Sequence, residues 1–255
     1  MKNQALADFQ GKTVVVSGAS SGIGRAIAIM LASHGARLIL IGRDSDRLEE
    51  TARSLPSGKY RLVPLDLRNR EEIMPQMQTA RKEFGAIYGL CHAAGVVDML
   101  PLNVSTIDRL LPMFDVNLFA GIELARAVSR RDTMDPEGGS ILFISSIYGI
   151  IGKPGETGYS ATKGAITSAA RTMAVELAKR NIRVNILSPG LVRTDMTEKA
   201  FSMLSPQQVK DIEKGHPLGP GKPEDVARAA VFLLSPQNRW ITGTDLVIDG
   251  GYTAQ

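Results

Sequence analysis

The sequence of 255 residues predicts a doubly wound α/β fold, one seven-stranded parallel sheet with helices on both faces. Three observations predict it. Short apolar runs alternate with longer segments of helical period, which is the pattern of repeated βαβ units. The runs are continuously apolar rather than alternating, so both faces of the sheet are covered and its strands run parallel. No Gly/Ser-rich linker, repeat or compositional shift divides the chain, so residues 1–255 read as a single domain.

The β-branched or leucine-rich runs place strands at 13–17, 38–41, 60–65, 87–91, 141–144, 184–187 and 246–248. Between them, helical periodicity places helices at 23–34, 46–55, 71–84, 107–128, 160–179 and 224–234. Right-handed crossovers then put helices on each side of the sheet. Residues 190–220 break the rhythm: Pro189, Pro206, Pro217 and Pro220 frame a mixture containing Met196, Phe201, Met203 and Leu204. A long insertion after a strand's carboxyl end is expected to form a lid over a ligand, the simpler alternative being short helices that only pack on the body.

Composition narrows the function classes. Hydrophobic residues make up 44% and charged residues 22%, which excludes disorder as the main state. The lone Cys91 cannot form an internal disulfide, and Met1 to Gln10 lack the apolar core of a secretory signal, so a cytoplasmic location is expected. No run approaches the roughly 18 apolar residues needed to cross a bilayer. The net charge of +4 is spread along the chain, its densest basic pair being Arg130 and Arg131, so neither a membrane nor a nucleic-acid partner is expected. His34 and His216 have no companions at ligand spacing, and no metal is expected.

The first strand runs directly into Ser17-Gly18-Ala19-Ser20-Ser21-Gly22-Ile23-Gly24, followed by a helical segment closed by Gly35. Glycines let the backbone turn tightly and approach a pyrophosphate, and the helix amino terminus offers unpaired N–H groups with a partial positive charge. Strand, glycine turn and helix in one βαβ unit form a dinucleotide-binding fingerprint. The turn is similar to the TGxxxGxG segment of short-chain dehydrogenases/reductases, with Ser17 in the place of Thr, and the resemblance continues from about Gly11 to Gly251. It implies a Rossmann fold and an enzyme acting on CH–OH groups, with likeness to the 3-oxoacyl-carrier reductase members.

The second strand ends at Gly42-Arg43 where a ribose-binding acid would mark an NAD enzyme; a guanidinium there clamps a 2′-phosphate, so NADP(H) is favoured over NAD(H). The resemblance assigns Gly18, Ser20, Ser21, Gly22, Ile23 and Gly24 to the phosphates and Asp66 with the Leu67 backbone to the adenine, although Asp66 also suits a helix cap. The family's NNAG segment corresponds to His92-Ala93-Ala94-Gly95, which loses both asparagines and keeps Gly95; His92 reads as an interior imidazole. Pro189, Gly190, Val192 and Thr194 match the PGxxxT segment that faces the nicotinamide.

Tyr159 and Lys163 stand four apart, hence on one face of a helix, and a nearby ammonium favours a phenolate. A buried strand ends at Ser145-Ser146, and Ser146 precedes Tyr159 by the family spacing, with Ser145 as the alternative donor to the substrate oxygen. Asn117 matches the fourth member of the family's catalytic set, expected to hold a water that links Lys163 to solvent. The set Asn117, Ser146, Tyr159 and Lys163 implies hydride transfer between a nicotinamide and a small carbonyl or alcohol, with Tyr159 as acid/base. 3-Oxoacyl thioesters on an acidic carrier protein are the alternative substrate, and a non-catalytic nucleotide sensor or scaffold is the alternative class. The resemblance also implies a homotetramer or homodimer formed through the helices holding Asn117 and Tyr159 and through the carboxyl end, where 231–234 is apolar.

Overall fold

The computed structural model describes residues 8–56, 58–202 and 204–255; the first seven residues and Met203, one of the expected lid residues, lie outside the described residues. Seven strands form one sheet: β1 (Thr13–Ser17), β2 (Arg37–Gly42), β3 (Tyr60–Pro64), β4 (Gly89–His92), β5 (Gly139–Ile144), β6 (Ile182–Pro189) and β7 (Asp245–Ile248). Their order is β3-β2-β1-β4-β5-β6-β7 and every pairing is parallel. The chain winds outward from β1 to β3 and then returns to place β4 on the other side of β1. The carboxyl ends of β1 and β4 therefore diverge into a crevice, the position where open α/β sheets bind ligands.

The helices are α1 (Gly22–Ser33), α2 (Ser45–Arg53), α3 (Ile73–Phe84), α4 (Ile107–Phe114), α5 (Ala120–Val128), α6 (Thr157–Leu177), α7 (Asp195–Phe201), α8 (Pro206–Lys214) and α9 (Pro223–Leu234). Strand alternation divides the core in two. Val14, Val16, Leu38 and Leu40 pack with Ile27 and Leu31 of α1 and Val226 and Ala230 of α9. Val15, Ile39 and Ile41 face the opposite layer with Met77 of α3, Leu124 of α5 and Ile166 and Ala170 of α6. Nearly every side chain on the central strands is thus buried, which explains why those strands read as unbroken apolar runs.

All seven expected strands are present, with no end moved by more than two residues. At β4, Ile87 makes only an isolated bridge to Met134, and the strand runs on to His92. The single helix expected at 107–128 is α4 and α5 joined by a π turn, Asp115–Phe119, which places Asn117 inward. The segment after β6 folds into α7 and α8, each opened by a reciprocal capping box, Thr194 with Thr197 and Ser205 with Gln208.

Candidate active site

The groove begins where β1 turns into α1. Gly18 has φ +69°, and a Cβ on it would lie 2.7 Å from the backbone nitrogen of Ala94; a Cβ on Gly24 would lie 2.2 Å from the Gly18 carbonyl oxygen. Both glycines exist for backbone approach, and the cradle they make fits a pyrophosphate. Helix α1 starts at Ser21 without a side-chain cap, so its first N–H groups face the groove. The groove, a cavity of about 220 Å³, is lined by Gly18, Ser20, Ser21, Gly22, Ile23 and Gly24 from the turn and by Arg43 from the end of β2. Asp66 and Leu67 after β3, Ala93, Ala94 and Gly95 after β4, and Thr194 complete it. Asp66 accepts from Arg68 at 2.6 Å, and that guanidinium holds its carboxyl below the usual carboxylate range, leaving an ionised acceptor on the groove.

A second cavity of about 130 Å³ shares Ile23, Ala93, Gly95, Thr194 and Met196 with the groove. Ser146, Tyr159 and Lys163 line it, with Pro189, Gly190 and Val192 opposite, so every expected cofactor residue falls on one continuous cleft. Helix α6 starts at Thr157, which puts Tyr159 and Lys163 on one face as the spacing requires; Lys163 Nζ lies 5.5 Å from the Tyr159 ring centre and donates to the Ile144 carbonyl at 2.9 Å. The structure separates the two serines. Both line the cavity, but Ser145 donates to the Lys163 carbonyl at 3.0 Å and pairs with Thr167, whereas the Ser146 oxygen accepts from the Tyr148 N–H at 3.2 Å.

The electrostatics differ from the simplest expectation. Lys163 is buried, and loss of water lowers its ammonium to about 8. Burial pushes the Tyr159 phenol well above its ordinary range; hydrogen bonding with Ser146 opposes this and the Glu156 carboxylate adds to it. The expected lowering by Lys163 is therefore not the controlling effect, because desolvation outweighs a cation engaged with a carbonyl. Asn117 is held by local bonds. Its side chain accepts from Val96 N at 2.8 Å and donates to Val96 O and to Thr162 Oγ1, so the amide ties the loop after β4 to α6 and is already satisfied.

His92 fills the first position of the altered NNAG segment. Its Nδ1 lies 2.8 Å from Ser17 Oγ, and Ser17 Oγ accepts from Ala94 N at 3.3 Å, so the hydroxyl proton is assigned to Nδ1. Burial lowers the imidazole to about 3, so it is neutral at working pH and links β1 to the cofactor cradle. Sequence reasoning missed Val96, Val116 and Asp195 in the groove and the role of His216, which accepts from Leu191 N at 3.0 Å and holds the turn after β6. Only their three-dimensional neighbours reveal them. Among the described residues no group of three or more His, Cys, Asp or Glu is arranged to hold a metal.

Comparison with known proteins decides the family. Residues 18–253 match the family model described as enoyl-(acyl carrier protein) reductase. The chain is 36% identical over 241 residues to carbonyl reductase family member 4 of Danio rerio, covering 94% of this chain and 97% of that protein. The chain belongs to the short-chain dehydrogenase/reductase family. It is also 35% identical over 249 residues to the 3-oxoacyl-acyl-carrier-protein reductase of Thermotoga maritima, covering 95% of this chain and 98% of that one. Among solved structures, a short-chain type dehydrogenase/reductase from Mycobacterium marinum superposes with a TM-score of 0.89 at 31% identity, over 97% of this chain and 98% of that one. The protein is accordingly an oxidoreductase of CH–OH groups built on the Rossmann-like sheet of this family.

Proposed function

We propose that this short-chain dehydrogenase/reductase interconverts a ketone and a secondary alcohol with NADP(H), using Tyr159 as acid/base. The observation that carries the reading is the convergence of Ser146, Tyr159 and Lys163 on a cleft continuous with the glycine cradle. When bound, the cofactor supplies or accepts the hydride. Ser146, whose oxygen accepts from Tyr148 N and whose hydroxyl bonds the Tyr159 phenol, turns its O–H to the substrate carbonyl when that enters. Tyr159, held as a phenol by burial, gives its proton to the developing alkoxide, so the resting protein is poised for reduction. Lys163 grips the ribose hydroxyls and offsets phenolate charge, and Asn117 fixes the loop that carries Gly95 and Val96. Arg43 at the groove supports a 2′-phosphate and hence NADP(H).

Residues 190–220 act as the lid of the one domain, with Thr194 and Met196 facing both cavities. Among the described residues no helix is long and apolar enough to cross a membrane, which suits a cytoplasmic enzyme of small molecules. A homo-oligomer, tetramer or dimer, is supported by apolar side chains left exposed on α6 and at β7; of the apolar 231–234 segment only Phe232 faces outward, its neighbours being core. A 3-oxoacyl thioester is the second reading, supported by the likeness to 3-oxoacyl-acyl-carrier-protein reductases; the basic residues Arg131, Lys179 and Arg180 lie at the amino ends of β5 and β6, away from the catalytic cleft, and add nothing to it.

The test is loss of reduced-cofactor absorbance with NADPH and NADH against β-ketoacyl thioesters, diketones and keto sugars. Turnover with NADPH on one class is expected. Tyr159→Phe should lower that turnover by at least 10²-fold while leaving NADPH affinity within a few-fold. Undiminished turnover in this variant overturns the mechanism, and NADPH binding without turnover of any ketone in the panel would leave either a substrate outside the panel or the sensor reading.

A further inference from the structure

The outer lip of the groove holds an ion pair that the reaction itself does not use. Arg47, in the first turn of α2, pairs through Nη2 with Oδ2 of Asp195, in the first turn of the lid helix α7. Asp195 lines the groove together with Arg43, Ser20 and Ser21, the residues grouped around the site expected for a 2′-phosphate. The backbone beneath Arg47 is fixed: its N–H donates to the Asp44 side chain at 3.1 Å, and its carbonyl accepts from Thr51 Oγ1 at 3.1 Å. The guanidinium, about 40% exposed, is the movable part of that residue. On the other side, Thr194 packs against the phosphate turn, its Cγ2 3.3 Å from where a Cβ on Gly22 would be. The lid helix therefore starts in contact with the turn and is strapped to α2 across the groove.

Resting on the NADP(H) reading, we propose that Arg47 is a second ligand of the 2′-phosphate, held in reserve by Asp195, and that Asp195 sets how strongly the phosphorylated cofactor is preferred. A phosphate monoester carries about 1.5 to 2 negative charges near neutral pH, against one for the carboxylate, and offers three acceptor oxygens to the guanidinium fork. Its arrival gives Arg47 a stronger partner and repels Asp195 on the same lip. Arg47 exchanges one anion for the other, and the strap on α7 opens as the cofactor enters. A cofactor without the 2′-phosphate leaves the pair in place.

The exchange is read by calorimetric binding of adenosine 2′,5′-bisphosphate and 5′-AMP, which need no nicotinamide and no turnover. Asp195→Asn removes both the competitor for Arg47 and a repelling charge, and is expected to bind the bisphosphate about 3- to 10-fold tighter with 5′-AMP unchanged. Arg47→Met is expected to weaken the bisphosphate about 10-fold, again with 5′-AMP unchanged, which also shows that the variant is folded. In the Arg47→Met background most of the Asp195→Asn gain should disappear. A wild-type protein that prefers the bisphosphate, with a preference both variants leave intact, overturns this role for Arg47 and Asp195 alone. A wild-type protein that binds 5′-AMP as tightly as the bisphosphate overturns the NADP(H) reading and the exchange together.

Discussion

Lys163 shows how much stability one active-site residue removes. Its ammonium is buried, with the Ile144 carbonyl as hydrogen-bond acceptor, and is lowered from 10.5 to about 8 by loss of water. A base whose folded value lies below its unfolded value costs stability fully below the folded value, and the cost fades as pH climbs to the unfolded one. The window here is about pH 8 to 10.5, and the drop corresponds to about 3 kcal/mol at pH 7. Lys163→Met removes the charge but also a hydrogen bond worth about 1 kcal/mol. It should therefore be more stable than wild type by about 1–2 kcal/mol in urea unfolding at pH 7, converge with it near pH 10, and lose most ketone reduction. A variant less stable than wild type at pH 7 would show that the carbonyl contact outweighs desolvation.

The elements that position the site are those whose local chemistry leaves no alternative. A Cβ on Gly24 meets the backbone oxygen of Gly18, which cannot rotate away, so Gly24→Ala must push α1 from β1. The expected result is a loss of about 1–3 kcal/mol in stability and at least 10-fold in NADPH affinity, measured by unfolding and by cofactor fluorescence; an unaffected affinity would mean that the turn does not carry the phosphates. This turn, the strands and the Tyr159–Lys163 pair were legible in the sequence because each depends on near neighbours: β-branched runs, glycines at the strand end, an i,i+4 spacing. The π turn at Asp115–Phe119 was not, since Asn117 is drawn inward by Val96, twenty-one residues away. The choice of Ser146 over Ser145 was carried by its spacing to Tyr159, but the bonds of Ser145 to the Lys163 carbonyl and Thr167 on α6 were not legible. Helices α7 and α8 carried local signals in their capping boxes, but four prolines and a mixed apolar pattern masked them.

At the scale of the whole molecule, two of the exposed apolar surfaces lie on opposite layers of the sheet. Strand β7 pairs only with β6 and exposes Leu246 and Val247, beside a helix that exposes Phe232. A bare edge strand with apolar side chains is an open template for pairing, and chains that persist in this form cover it. Helix α6, on the opposite layer, leaves Val175 about 79% exposed, in a position no packing within the subunit requires. Two self-complementary faces on one subunit generate two kinds of twofold axis, and two such axes close as a tetramer of dihedral symmetry. Light scattering on the eluting protein should then give four times the chain mass for wild type. Val247→Asp, which puts a charge on the β7 face, and Val175→Asp, which puts one on α6, should each leave a dimer held by the other face, and the double variant a monomer. A monomeric wild type would show that neither face is an interface, and a tetramer that survives the double variant would place the contacts elsewhere. Because Tyr159 and Lys163 belong to the same α6 that carries Val175, the Val175→Asp dimer should also lose turnover if that interface braces the catalytic helix, whereas the Val247→Asp dimer should retain it.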